Sequence, residues 1–196
     1  MVTELKPYYT PFKAGDRVIE LGGGPGDATG MPIFRPNIDA RPGPMVDIVH
    51  DLSRTPWPLA SSSFNGVYSS FWIEHVSHKL IRNVIAEIYR ILAPGGIAVL
   101  VTADTYAQCK KIVDAGPEGM SDVLSNMLFG GGDYDGNFHK AALSRPFAVK
   151  LFREAGFFQV ETLDHPGIIG PQGYEKVETD FILEAKKSAA VITYEL

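Results

Sequence analysis

The run Val18-Ile19-Glu20-Leu21 stops abruptly at Gly22-Gly23-Gly24-Pro25-Gly26. Aliphatic and β-branched residues in so short a run read as a buried strand, and the glycines behind it as a tight turn. Glycine at such a turn lets backbone come close to a ligand where a β-carbon would collide, and leaves N–H groups available to it. A strand ending on such a turn is the opening unit of an alternating α/β sheet, and the later segments supply its partners in order. Pro36-Asn37-Ile38-Asp39 and Val46-Asp47-Ile48-Val49-His50 read as a second and a third strand, followed by the acids Asp39 and Asp51. Phe64 to Ser70 reads as a fourth, entered through Ala60-Ser61-Ser62-Ser63.

The clearest helix runs from about His78 to Leu92. Ile81, Val84, Ile85, Ile88, Ile91 and Leu92 recur there at the helical period, with Ser77 as N-cap. Ala93-Pro94-Gly95-Gly96 ends it, and Ile97 to Thr102 is a continuous apolar run expected to be a central strand covered on both faces. A second helix is expected from Arg145 to Ala155, with Ser144 as N-cap, Phe147, Leu151 and Phe152 turned inward and Gly156 as its stop. Strands at Gln159 to Leu163 and Asp180 to Ala185 complete the pattern. The alternation predicts a doubly wound, mostly parallel α/β sheet with helices on both faces, whose ligands sit beyond the carboxyl ends of the strands. The loops at Gly22 to Gly26, Asp39, Asp51, Ser69 to His75 and Asp104 to Tyr106 all open on that edge.

Composition narrows the function. A chain of 196 residues is read as one domain, and 45% hydrophobic against 21% charged residues is the balance of a folded protein. Eighteen Lys and Arg against 23 Asp and Glu leave a net charge of −5, which disfavours nucleic acid as a partner. No apolar run is long enough for a membrane span and none near the start suits a signal peptide, so a cytoplasmic protein is expected. Cys109 has no partner for an internal disulfide and is read as a small buried hydrophobe, and no Cys/His spacing matches a zinc motif, so no metal is expected.

The glycine turn discriminates between cofactors. A dinucleotide fingerprint needs glycine at its first, third and sixth positions, and counting from Gly22 the sixth is Asp27. Gly30, Pro32 and Pro36 interrupt the stretch where a pyrophosphate-binding helix would run. Nicotinamide and flavin chemistry are therefore disfavoured.

Taken in order, these segments resemble the class I S-adenosylmethionine-dependent methyltransferases, in their small, type 11-like form. Val18 through Gly26 is similar to that family's first motif, and Asp39 matches the acid that holds the ribose hydroxyls. Asp51-Leu52 matches the pair flanking the adenine. Trp57-Pro58-Leu59, then Phe64 to Ser70 with Ile73-Glu74-His75-Val76, is similar to the fourth strand and its loop, and Glu87 to Gly96 to the helix and turn before the fifth strand. The resemblance implies a seven-stranded sheet with an antiparallel last strand, S-adenosylmethionine as cofactor and S-adenosylhomocysteine as product. It implies a cofactor site of Glu20, Gly22, Gly23, Gly24, Gly26, Asp39, Asp51, Leu52, Ser69 and Ser70. Asp39 suits a ribose diol as a doubly accepting carboxylate, while Gly22 and Gly24 admit the methionine portion and Glu20 orders the loop or reaches the amino group through water. One departure stands out: only 12 residues separate Gly26 from Asp39, so the family's first helix must be very short or absent.

Methyl transfer asks mainly for alignment and exclusion of water, with a general base where the acceptor is a hydroxyl. His139, His75, Asp104 and Tyr106 are the candidates for catalysis. The 40 residues from Asp104 to Leu143 far exceed an ordinary connection and are expected to form a substrate lid, with a helical piece near Met120 to Phe129 and a tip at Gly130 to Gly136. The acceptor is expected to be a small molecule or a glycan-type group. A protein that binds S-adenosylmethionine without transfer, as a sensor or assembly subunit, is the alternative. The end, Ser188 to Leu196, is an expected edge strand or homodimer contact.

Overall fold

The computed structural model describes residues 10–28, 30–164 and 179–189. Seven strands form one sheet: β1 (Val18–Leu21), β2 (Asn37–Asp39), β3 (Ile48–Val49), β4 (Phe64–Ser70), β5 (Leu92–Ala103), β6 (Gln159–Asp164) and β7 (Asp180–Lys186). Their order is β3-β2-β1-β4-β5-β7-β6. The pairings from β3 to β5 are parallel, and β7 runs antiparallel to both β5 and β6. The middle place belongs to β4, and the 97–102 run expected there lies in β5, one place away and equally interior.

Four helices accompany the sheet: α1 (Ile81–Ile91), α2 (Thr105–Ala115), α3 (Asp122–Phe129) and α4 (Arg145–Glu154). The apolar stripe of α1 is buried as its period requires, at Ile81, Val84, Ile85, Ile88 and Ile91. At about 1.5 to 3 kcal/mol per buried aliphatic side chain, that stripe anchors the helix. Its start differs from expectation: Ser77 heads a preceding turn, accepting from Leu80 N and Ile81 N through its carbonyl, and Leu80 occupies the cap with no side-chain bond. In α4, Leu151 and Phe152 are buried, but Phe147 faces outward and is 39% exposed.

Ala93-Pro94-Gly95-Gly96 was expected to be the stop between helix and strand. It is instead a bulge inside β5: Leu92 pairs with Phe64 and Ile97 with Gly66, so the residues between them are extruded.

The two faces of the sheet are covered differently. One carries the larger core, in which α1 and α4 pack on β1, β4, β5 and β7 through Ile88, Leu151, Phe152, Val67 and Leu183. On the other, Val18, Tyr68, Val99, Val101 and Ile182 are covered by Phe12, Ile33, Phe34 and Phe71. Helices expected on both faces are thus replaced on the second, among the described residues, by loop aromatics. The cause is local: between β1 and β2 the chain makes turns and an Asp27–Gly30 bridge where a first helix would run. Residues 190–196, which include most of the expected edge strand or dimer contact, lie outside the described residues. Among the described residues, no helix is long and apolar enough to cross a membrane.

Candidate functional site

The glycine turn is fixed by the strand beside it. Gly22 and Gly24 adopt φ of +67° and +88°, a region that side-chain-bearing residues rarely enter. A β-carbon on Gly22 would lie 2.3 Å from the Trp72 indole, and one on Gly24 2.5 Å from Gly30 Cα, so glycine is required for packing at both. The N–H groups expected to face a ligand are engaged within the protein. Gly22 N donates to the Ile38 carbonyl, Gly23 N to Asn37 Oδ1 at 3.1 Å, Gly24 N to Asp39 Oδ2 at 2.9 Å and Gly26 N to the Gly30 carbonyl. Asn37, which sequence reasoning does not single out, closes the turn by donating from Nδ2 to the carbonyls of Gly24 and Met45.

Glu20 orders the same turn from beneath. It is 2% exposed, and its Oε2 accepts from Ile33 N at 2.6 Å and Phe34 N at 2.7 Å. Burial pushes its carboxyl up to about 7, with the two N–H donors pulling the other way.

At the carboxyl edge of the sheet these loops enclose a cavity of about 370 Å³. Gly22 reaches it from β1, Asp39 and Arg41 from β2, Asp51 and Leu52 from β3, Trp72 and His75 from β4, and Tyr134 and Lys140 from the 104–143 segment. Of the residues expected at the cofactor, Gly22, Asp39, Asp51 and Leu52 line it. Glu20, Gly23, Gly24 and Gly26 lie behind the turn, while Ser69 and Ser70 end β4, the Ser69 hydroxyl buried with no hydrogen-bond partner.

Asp39 is 6% exposed; Oδ1 accepts from Arg41 N at 2.8 Å and lies 3.4 Å from Arg41 Nε. Arg41 in turn lies 4.2 Å over the Tyr134 ring, tying the end of β2 to the inserted segment. Asp51 Oδ1 accepts from Ser53 N and Oγ. Burial raises the Asp51 carboxyl, but the Ser53 bonds and the Arg54 and His50 charges outweigh it and hold the group below its ordinary value.

The expected catalytic residues fall into two groups. His75 and His139 come together, ring centroids 5.1 Å apart and edge to face. Burial lowers both imidazoles below the ordinary value, for His75 with help from the His139 and Lys140 charges and against the Phe138 carbonyl, for His139 against the Leu128 and Met127 carbonyls. Asp104 instead caps α2, accepting from Tyr106 N and Ala107 N, with Arg145 Nε 3.5 Å away. Tyr106 is 73% exposed on α2, outside the cavity.

The 104–143 segment holds α2, a 3-10 turn at Pro117–Gly119, α3 and the 130–143 return limb. Helix α3 is the expected helical piece, whereas α2 is an additional element. Cys109 lies exposed on α2 rather than buried, because that helix presents little more than Gln108 to the interior. The return limb docks on the turn after β4: Lys140 N and Ala141 N donate to the Glu74 carbonyl at 2.8 and 3.1 Å, and His139 N to the Phe129 carbonyl at 2.9 Å. Glu74, His75 and His139 each place a donor atom within 4.8 Å of the others. Zinc-motif spacing cannot register such a cluster, because His139 arrives from a distant loop.

The donor set suits a nucleoside bearing a positive charge. Two carboxylates from successive loops, an indole against the glycine turn and an enclosed volume in the ordinary range for small-molecule sites are the complements of a ribose diol, a base and a sulfonium. Residues 32–100 match the family model described as a methyltransferase domain. No curated protein matches the chain. Among solved structures, a SAM-dependent methyltransferase from Archaeoglobus fulgidus aligns with TM-score 0.60 at 14% identity, over 90% of this chain and 89% of its own. A SAM-dependent methyltransferase from Thermotoga maritima, described as a possible histamine N-methyltransferase, aligns with TM-score 0.55 at 17% identity, over 88% and 83%. The 1,6-didemethyltoxoflavin-N1-methyltransferase of Burkholderia thailandensis, bound to its substrate and S-adenosylhomocysteine, aligns with TM-score 0.54 at 15% identity, over 87% and 70%.

Proposed function

We propose that this chain is a class I S-adenosylmethionine-dependent methyltransferase and that it methylates a small-molecule or glycan-type acceptor in the cavity at the sheet edge, a reading supported by the family-model match over residues 32–100 and the shared fold. The observation that carries this reading is the convergence of Gly22, Asp39, Asp51 and Leu52, from three separate loops, on one cavity. When bound, S-adenosylmethionine supplies a methyl group already activated by its sulfonium. Asp39 accepts from the ribose; its carboxylate has about four acceptor positions, and its bonds to Gly24 N, Arg41 N and Arg41 Nε leave one for a ribose hydroxyl. Asp51 and Leu52 border the adenine, and Gly22 with Trp72 borders the methionine portion. Glu20, Gly23, Gly24 and Gly26 act behind this surface by fixing the turn, and Ser69 and Ser70 hold the end of β4.

The 104–143 segment forms the acceptor side of the pocket and its lid, through Tyr134 and Lys140. His75 and His139 help the acceptor lose its proton. In the transfer a bond forms from the acceptor atom to the methyl carbon as the carbon–sulfur bond breaks, leaving a neutral thioether, and the acceptor proton passes to solvent. A small acceptor is supported by the enclosed volume and by the Burkholderia neighbour, which acts on a small molecule on the same fold.

Calorimetric titration with S-adenosylhomocysteine tests the cofactor site. Micromolar affinity is expected, weakened in Asp39→Ala by about 1.5 to 3 kcal/mol, roughly 10- to 150-fold, as a charge-assisted bond is lost. Unchanged affinity in Asp39→Ala removes Asp39 from the site.

A further inference from the structure

Glu74 sits in the 3-10 turn after β4 and is 2% exposed. Thr102 Oγ1 donates to its Oε2 at 3.0 Å, while Oε1 has no hydrogen-bond partner. A buried carboxylate oxygen without a donor is costly, and the surroundings deepen the deficit. Asp180 is the acid that acts on it, and Arg145, which reaches the Asp180 carbonyl at 3.4 Å, pairs with Asp104 and with Asp164 at 2.7 Å. Among the described residues no ion pair reaches Glu74. A positive charge is what this position lacks.

Two imidazoles stand beside it. Nδ1 of His75 faces the Phe138 carbonyl at 3.1 Å, and a proton donated there orients the ring and leaves Nε2 with its lone pair. His139, held through its backbone to Phe129, presents its ring edge to His75. Two imidazole nitrogens and one carboxylate oxygen form a donor set suited to zinc and its first-row neighbours rather than to magnesium or calcium, which prefer oxygen alone.

We infer that Glu74, His75 and His139 bind a divalent transition-metal ion, with Zn²⁺ as its representative, at the acceptor end of the cavity. Three donor atoms within 4.8 Å are slightly open for an ion bound at about 2.1 Å, whose ligands lie roughly 3 to 4 Å apart, so binding draws the three donors together. A three-ligand site retains an open position, and His75 lines the cavity, so the ion meets a ligand entering there. The catalytic part of this inference rests on the function proposed above: an acceptor oxygen or nitrogen on the ion loses its proton more readily, so the histidines act on that proton through the ion. The binding part stands independently.

The test uses the full chain, stripped with chelator and titrated with Zn²⁺ by calorimetry and with Co²⁺ by visible absorption, alongside S-adenosylhomocysteine titration of each variant. One ion per chain is expected, with the intense visible bands of low-coordinate Co²⁺. His139→Ala and Glu74→Gln are each expected to weaken Zn²⁺ by at least about 10- to 100-fold, the range that even supporting residues reach. His78→Ala, outside the cluster, leaves uptake unchanged. S-adenosylhomocysteine affinity stays within a few-fold in His139→Ala, separating a failed metal site from a failed cofactor site. Circular dichroism checks folding, and His139→Ala, altering a half-buried loop residue, decides the matter if Glu74→Gln does not fold. Less than one ion per wild-type chain, or uptake indifferent to His139→Ala, overturns the inference.

Discussion

The turn between β1 and β2 and the turn after β4 solve the same problem in opposite ways. Each carries a buried glutamate, Glu20 or Glu74, whose carboxyl burial pushes up to about 7. In the first, one oxygen of Glu20 collects the N–H groups of Ile33 and Phe34, so the acid substitutes for the missing helix as the organiser of a long irregular stretch. In the second, Glu74 has one hydroxyl on one oxygen and nothing on the other, with two histidines beside it. A satisfied buried acid is architecture. The other leaves an oxygen without a donor beside two imidazoles.

The largest expected effect tests this contrast through stability. Glu20→Ala strands two backbone donors and removes a buried acceptor, and is expected to cost about 3 kcal/mol or more in urea unfolding. Glu74→Ala, which surrenders a single hydroxyl bond, is expected to cost about 1 kcal/mol in metal-free protein. Equal costs would break the comparison.

The next effect is in pH. Because the folded pKa of Glu20 is raised from 4.5 to about 7, the native state holds an extra proton between those values. Its stabilising contribution is full below pH 4.5 and is lost as pH rises through 7. Glu20→Gln retains an acceptor oxygen but does not titrate, so its unfolding free energy should fall less over that window, by up to about 3 kcal/mol. A wild-type slope reproduced in Glu20→Gln would place the titration elsewhere.

The smallest effect concerns the link from the end of β2 to the inserted segment. Tyr134→Ala removes the ring under Arg41, a contact of about 0.5 to 1 kcal/mol, and is expected to alter S-adenosylhomocysteine affinity only a few-fold with almost no change in melting temperature. A large loss would move Tyr134 from the rim into the cofactor site.

What the sequence discloses follows the range of the interactions. Phe64 to Ser70 is legible to the residue because polar turns and an apolar core run bound it, and α1 because its stripe is complete. Helix α2 is obscure because Thr105–Ala115 buries only Gln108 and so shows no apolar face. Asp39, Asp51 and Leu52 are legible because chain order places each just past a strand on one edge. Arg41 over Tyr134, Asn37 across the glycine turn, and His139 beside His75 are contacts between distant segments, and no local pattern announces them. Even at the glycine turn the residue types are clear while the direction is not: the N–H groups point into the protein, toward Asn37 and Asp39.

The placement of β7 between β5 and β6 bears on how the chain is made. Residues 159–164 leave the ribosome before residues 180–186, yet among the described residues β6 pairs in the sheet with β7 alone. Until Asp180 to Lys186 emerge, the nascent chain carries the apolar edge of β5, Val99 to Val101, with its backbone groups unpaired, the kind of edge that recruits other strands. β7 is thus the strand that covers this edge, and a chain interrupted before Asp180 keeps the residues lining the sheet-edge cavity while leaving the apolar edge of β5 open.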